Sequence, residues 1–459
     1  MFVNYYKSLK PDMYMKKKGN DYYKPNFHFL APSNWMNDPN GLIYHNKEYH
    51  IFYQHNPKTK HWGNIHWGHA KTKDFINWEH LPIALSPSKE KKEKHCFSGT
   101  CIIDNKIPKI LYTSINSLTN AIKGSRINLA IGDKDLLNWK KYEKNPVLIN
   151  NSKQTKKYVQ WRDPFTWKEK NTWYTIVGCQ KSLIGKGTIL IYSSNNLTQW
   201  KYVRHFIDKK LEFNKTIECP NLFKIQSNYI LFASPMNKTK YSIGEFQNNK
   251  FQSEKWETLD HGKVFYAANG FKNIKKQLIF LGWIKKGGES NWNGCLSIPR
   301  ILTTNKKNQI MIKPHPNLKK LRKNREYIKN KIISKEQPLT LKQQSNCFEL
   351  EIKLNIQNDN IIRICLGEKL LFKYNKKRKK ICSGKETGTI AQNKNKIKIH
   401  LFFDKSITET FLNNKETISS RIYPNKKDSK DITIKTKNKT IISELNFWKI
   451  TPVTIKNTN

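Results

Sequence analysis

Three segments of the chain repeat one local pattern: "DFINWEHL" from Asp74, "DLLNWKKY" from Asp135 and "NLTQWKYV" from Asn196. Their tryptophans, Trp78, Trp139 and Trp200, lie 61 residues apart. A fixed period with an aromatic marker demands a repeated structural unit, and a unit of roughly 50 to 65 residues holding about four strands has the dimensions of a propeller blade. The stretches between the markers support strands. "GLIYHNKEYHIFYQ", "GTCIIDNKIPKILYTS", "PFTWKEKNTWYTIVG" and "NLFKIQSNYILFAS" each read as a hairpin, two apolar or alternating runs around a polar tip. From Asp38 to about Leu302 there is room for five such units. The texture then changes twice. A Lys-rich, non-periodic stretch covers 311–338, and short strand-like runs such as "CFELEIKLNI" and "KIKIHLFF" follow at hairpin spacing. The expected fold is all-β: an N-terminal extension over 1–24, a five-bladed β-propeller over 25–310, a linker over 311–338 and a C-terminal β-sandwich over 339–459.

Near the start of three of the repeat units stands an acid close to a proline: Asp38 in "NDP", Asp163 in "RDP" and Glu218 in "ECP". Asp38-Pro39-Asn40-Gly41 taken alone reads as a type I turn. In a propeller, however, the first strand of every blade lines the central channel, so equivalent positions converge, and each acid is expected just ahead of such a strand. The second unit has "CFSGT" (Cys96 to Thr100) at the matching place. Carboxylates gathered in a concave site repel one another and perturb each other's protonation, which is the usual mark of acid/base or nucleophilic work. A divalent cation would call for closely spaced oxygen ligands of the D-x-D-x-D kind, and none is present. The aromatic and amide residues nearby, Trp35, Asn37, Gln54, Trp62 and Trp67, suit a sugar. Glycoside hydrolysis uses such a pair of carboxyl groups on either side of the scissile bond.

The charge points elsewhere but weakly. With 84 Lys and Arg against 35 Asp and Glu, the chain carries a formal +49, which could signal a polyanionic partner. The excess is smeared along the chain as Lys. The runs "KEKKEK" (89–94) and "NKKRKK" (375–380) lack the interleaved aromatics of a single-strand binder and read as solvated loops. A propeller binding nucleic acid through its basic surface is the rival reading, and it leaves the three carboxylates without a role. No nucleic-acid or membrane partner is expected. No apolar run approaches a membrane span and no signal-peptide core follows the start, so a cytoplasmic location is expected. The eight cysteines include no CxxC pair and read as reduced core thiols. The histidines at 45, 50, 55, 61, 66 and 69 read as packing and hydrogen-bonding groups, not metal ligands.

"WMNDPNGLIY", "YHIFYQHNP", "HWGHAKTKDFINWEHLPIAL", "FSGT", "WRDPF", "ECPNLF" and "FYA" resemble the signature blocks of glycoside hydrolase family 32, in the family's order. This family includes invertases, inulinases, levanases and bacterial sucrose-6-phosphate hydrolases. The resemblance runs from about His28 to the end and implies the same propeller and sandwich. It implies Asp38 as nucleophile, Glu218 as general acid/base and Asp163 as a stabiliser of the fructosyl unit, ionised beside Arg162, with the first two carboxyls about 5 Å apart. Asn37, Gln54, Trp62, Phe97, Ser98, Arg162 and Tyr266 match positions that shape the fructose pocket. No cofactor or metal is implied. The implied partner is a small sugar, sucrose 6-phosphate or sucrose, with the protein a monomer or homodimer. Val264, Asn269, Asn221 and Ile301 depart from the family pattern and are expected at the rim of the pocket or behind it. A decayed, merely sugar-binding member is the second rival, and the intact acid blocks count against it.

Overall fold

A computed structural model describes residues 21–457 apart from 91, 118–121, 123, 276, 286, 288–290, 306–308, 343–344, 358 and 392–393. Most of the expected N-terminal extension therefore lies outside the described residues. Five sheets, each built on consecutive antiparallel strands, are arranged as blades whose inner strands are Asn34–His45, His95–Asp104, Val159–Glu169, Ile217–Ile225 and Phe265–Lys272. Each inner strand packs against the next and the fifth packs against the first, closing a ring. The expected propeller is present.

The repeated tryptophan marks one turn built three times. Phe75, Leu136 and Leu197 take φ of 65°, 61° and 67°, and the indole N–H groups of Trp78, Trp139 and Trp200 donate to the carbonyls of these residues at 3.1, 2.8 and 3.0 Å. A left-handed residue costs energy when it is not glycine. The indole hydrogen bond and the burial of the residue itself offset that cost. Asp74 and Asn196 cap the first and third turns by accepting backbone N–H groups. In the second turn Asp133, not Asp135, does this work.

Two boundaries differ from expectation. The stretch 311–338 is not a linker: Ile310–Pro314 is the outer strand of blade five, Pro316–Leu321 is a short 3₁₀ helix, and Arg322–Ile333 is a long edge strand of the sandwich paired with Thr440–Ile450. Along that edge strand only Ile333 is fully buried. The alternation that announces a strand is therefore missing, and its lysines blunt an edge that could otherwise pair with another chain. The sandwich consists of two six-stranded sheets around an Ile- and Leu-rich core. It does not keep the chain's last strand. Thr454–Asn457 returns to pair in parallel with the outer strand of blade one. No helix among the described residues is long and apolar enough to cross a membrane.

Propeller and sandwich meet through buried charges. His28, just ahead of blade one, places Nδ1 2.8 Å from Asp404 and Nε2 2.9 Å from Glu409 of the sandwich. Arg300 of blade five donates to Glu409 at 2.5 Å and to Asp260 at 2.9 Å, and Ser419 donates to Asp260 at 2.8 Å. Burial opposes the charge on His28, but its two carboxylate partners outweigh it and hold the imidazole above its ordinary range. Removing one member of a buried ion network strands the others. Arg300→Met is thus expected to cost about 3–5 kcal/mol, read as a lower guanidinium midpoint by tryptophan fluorescence. An unchanged midpoint contradicts this role.

Candidate active site

At one depth each of the five inner strands loses its pairing with a bulge. The breaks fall between Met36 and Pro39, Phe97 and Gly99, Arg162 and Phe165, Glu218 and Asn221, and Tyr266 and Asn269. Bulges re-aim side chains, and five at one level turn side chains toward the channel. The acids accordingly lie inside the inner strands, not ahead of them, and Asp38-Pro39-Asn40-Gly41 is not a turn. Asn40 to Ile43 carries a second bulge. Gly41 takes φ +55° there, and a Cβ at this position would meet the Trp67 ring at 2.7 Å.

The bulges also correct the register. Asp163, Cys219 and Ala267 share a positive φ, 61°, 47° and 49°, so Cys219 occupies the place equivalent to Asp163. Glu218 is equivalent to Arg162 and Tyr266. The three acids therefore form two tiers. In one, Asp38 Oδ2 accepts from Ser98 Oγ at 3.1 Å and from the Cys219 thiol at 3.6 Å. Asp163 Oδ2 accepts from the Cys219 backbone N–H at 3.0 Å, and the same thiol lies 3.6 Å away. Burial and then the adjacent carboxylates push the Cys219 thiol far up, so it remains S–H and can donate to the acids. In the other tier Arg162 Nη2 donates to Glu218 Oε1 at 2.6 Å, and the Tyr266 hydroxyl donates to Glu218 Oε2 and lies 2.9 Å from the Ser234 carbonyl.

Burial pushes Asp38 up to about 6, with the Glu218 charge adding to the effect and the polar side chains of Asn37, Ser98 and Cys219 opposing it. Asp163 is pushed up to about 7 by burial; Arg162 pulls it back, while Glu218 and Asp38 push further. Arg162 offsets only part of the effect of burial on Asp163. The guanidinium is spent on Glu218 and on the Gln160 backbone and side-chain oxygens. Its Nε lies 3.8 Å from Asp163 Oδ2.

The remaining residues singled out from the sequence gather here as well. Asn37 Oδ1 accepts from the Trp35 indole at 2.6 Å, and Gln54 donates to the Cys96 carbonyl at 3.0 Å. The Phe97 carbonyl accepts from Trp67 at 3.0 Å. Trp62 stacks on His95, with ring centroids 5.2 Å apart, and meets Phe97 edge-on. Tyr266, expected among the fructose contacts, is fully buried with its hydroxyl committed to Glu218 and Ser234. Val264, Asn269, Asn221 and Ile301 are all buried. Sequence reasoning missed the role of Cys219, although laying "RDP" over "ECP" residue by residue reveals it. It also missed Lys285, buried with its ammonium 3.7 Å from the centre of the Tyr266 ring; one lysine among so many gave no signal. His50 and His69 pair with each other at 3.0 Å, and His55 bonds the Trp35 carbonyl.

The model of the glycosyl hydrolases family 32 N-terminal domain matches residues 28–314, and that of the family's C-terminal domain matches 317–449. The chain belongs to glycosyl hydrolase family 32. It is 29% identical to a sucrose-6-phosphate hydrolase of Escherichia coli, over 89% of this chain and 91% of that protein. It is also 29% identical to a levanase of Bacillus subtilis (strain 168), over 94% of this chain and 72% of that one. Fructan 1-exohydrolase IIa of Cichorium intybus shares the fold with a TM-score of 0.81 at 22% identity, covering 96% of this chain and 100% of its own. The family 32 membership makes the protein a glycosidase of the β-fructofuranosidase family, in agreement with the resemblance of its signature blocks.

A carboxylate whose protonation is held up by burial costs the fold stability once it ionises. For Asp163 that cost is absent below the ordinary carboxylate range, grows as the pH rises, and is complete above about pH 7. Asp163→Asn is therefore expected to raise Tm by several degrees at pH 8 and by progressively less toward pH 4. A gain independent of pH contradicts the assignment.

Proposed function

We propose that the protein is a retaining β-fructofuranosidase in which Asp38 is the nucleophile, Glu218 the general acid/base and Asp163 the group that holds fructosyl hydroxyls, with sucrose 6-phosphate as its substrate. The observation that carries the reading is the division of labour between the tiers. Asp38 has Oδ2 fixed by Ser98 and Cys219 while Oδ1 accepts no hydrogen bond among the described residues. Glu218 stands one residue off that tier, its orientation set by Arg162 and Tyr266.

The chemistry follows in two displacements. Asp38 attacks the anomeric carbon as the carboxyl proton of Glu218 passes to the glycosidic oxygen; the carbon–oxygen bond breaks and the aldose leaves. The fructosyl ester on Asp38 is then attacked by water, whose proton returns to Glu218, and fructose is released with its configuration retained. In this reading Asp163, as a carboxylate, stands beside the carbon that becomes cation-like. An anionic carboxylate is worth most where water is excluded. Sucrose 6-phosphate is favoured over sucrose by the sucrose-6-phosphate hydrolase relatives and by the positive charge of the chain.

Two outcomes are expected. Glu218→Gln should lose about 10²-fold or more in kcat on sucrose 6-phosphate, general acid catalysis being worth that much, and near-normal turnover removes Glu218 from the mechanism. The kcat/KM profile should fall on its acid side between about pH 7 and 6, where Asp163 and Asp38 take up protons, and not near the 3.8 of an ordinary aspartate. The two titrate as a coupled pair, so the limb belongs to both.

A further inference from the structure

Beside the Trp62–His95 stack opens a cleft of about 400 Å³ whose wall includes Lys58, His66, Lys89, Glu93, Lys94 and His95. Its link to the proposed sugar pocket is His95, which lies in the wall and stacks on Trp62. His95 lies on the same inner strand as Ser98, the Asp38 partner, three residues away, or about 10 Å along an extended chain. That is comparable to the span of a disaccharide. The aromatic face of Trp62 joins the two compartments, stacked on His95 on one side and edge-on to Phe97 on the other.

The cleft is positive, and its positive charge is unspent. Lys58, Lys89 and Lys94 are exposed and make no ion pair among the described residues. The one acid in the wall, Glu93, is already committed. It accepts from the Tyr112 hydroxyl at 3.0 Å and from the Ser88 N–H at 3.2 Å, and it pairs with Lys141. One imidazole adds a neutral donor, His95, while the Nδ1–H of His66 is already given to the Asn64 carbonyl at 2.6 Å. His95 Nδ1 accepts the Ile65 N–H at 3.2 Å, so the proton of the neutral ring sits on Nε2. Burial, then the Lys94 charge, holds His95 down at about 4; burial also lowers His66, against the pull of its Asn64 hydrogen bond and with Lys58 contributing. Both rings lie in a field that favours an anion. Point-charge ammonium groups around a dianion, with an aromatic platform alongside, form a site for a phosphomonoester carried by a sugar. The Lys run 89–94, read from sequence as a solvated loop, thus places two of its lysines in this wall.

We propose that this cleft is the subsite for the phosphate of a phosphorylated aldose leaving group, with Lys58 and Lys94 as its specificity-determining residues. The proposal rests on the reading of the chain as a β-fructofuranosidase that cleaves a sugar phosphate. The test compares kcat/KM for sucrose 6-phosphate and sucrose in the wild type and in Lys58→Gln/Lys94→Gln, at fixed ionic strength. Inorganic phosphate serves as a competing ion and chloride as the control. The expected result is a preference of tenfold or more for sucrose 6-phosphate in the wild type that falls to within about threefold of unity in the double variant, a loss of roughly 0.7 kcal/mol or more of differential transition-state binding. Phosphate should compete with sucrose 6-phosphate in the wild type only. A double variant that keeps the wild-type preference overturns the subsite and leaves the sugar-phosphate reading intact. A wild type that cleaves both sugars equally overturns the subsite but leaves the glycosidase intact, and release of fructose from neither overturns both. Inhibition by phosphate no stronger than by chloride overturns the binding of a phosphate group in the cleft.

Discussion

Three carboxyl groups lie out of water at the centre of the propeller with one guanidinium among them, and much of the architecture serves to hold them there. A single blade cannot do this. The convergence needs five inner strands closed in a ring, each broken by a bulge at the same depth. The bulges set Asp38 and Asp163 in one tier and Glu218 in the next, so that Cys219 and Ser98 can tie the first tier while Arg162 and Tyr266 tie the second. The left-handed backbone at Asp163 and Cys219 is a local cost of the kind concentrated at functional sites.

The interface between propeller and sandwich provides a control within the same molecule. Its carboxylates are equally buried, yet Asp404 and Glu409 are held below their ordinary range: burial alone would raise them, but His28 and Arg300 outweigh it. At the propeller centre the same burial raises Asp38 and Asp163. The difference is the supply of partners. At the interface each acid is matched by a cation or several donors, which gives a structural tie. At the centre Asp38 and Asp163 face the Glu218 charge, Arg162 does not offset the burial of Asp163, and one Asp38 oxygen has no hydrogen-bond partner among the described residues. Imbalance of this kind destabilises a fold and is retained where chemistry uses it.

Much of this was legible in the sequence. The 61-residue spacing of Trp78, Trp139 and Trp200 reports a turn that needs an indole donor to cap a left-handed residue, so it carried the blade repeat. It lapsed in blades four and five, where Trp256 instead reaches back to the Leu211 carbonyl. The acid-proline blocks located the site but not its tiers, because a bulge shifts register by one residue and leaves no compositional trace. The strand over 322–333 was hidden by its exposure. An edge with one fully buried residue has no alternation to read. Lys285 and the cleft lysines were hidden by abundance, and only their placement separates them from the rest of the charge.

The central claim is that Asp38 forms the covalent bond to fructose. The direct measurement is a rapid acid quench of Glu218→Gln turning over β-fructofuranosyl fluoride, whose leaving group needs no proton, followed by proteolysis and mass spectrometry of the peptides. The account predicts that the mass of one fructosyl residue accumulates on the peptide containing Asp38 and disappears on longer incubation. An adduct on the peptide containing Asp163 would contradict it, as would steady hydrolysis with no adduct on any peptide.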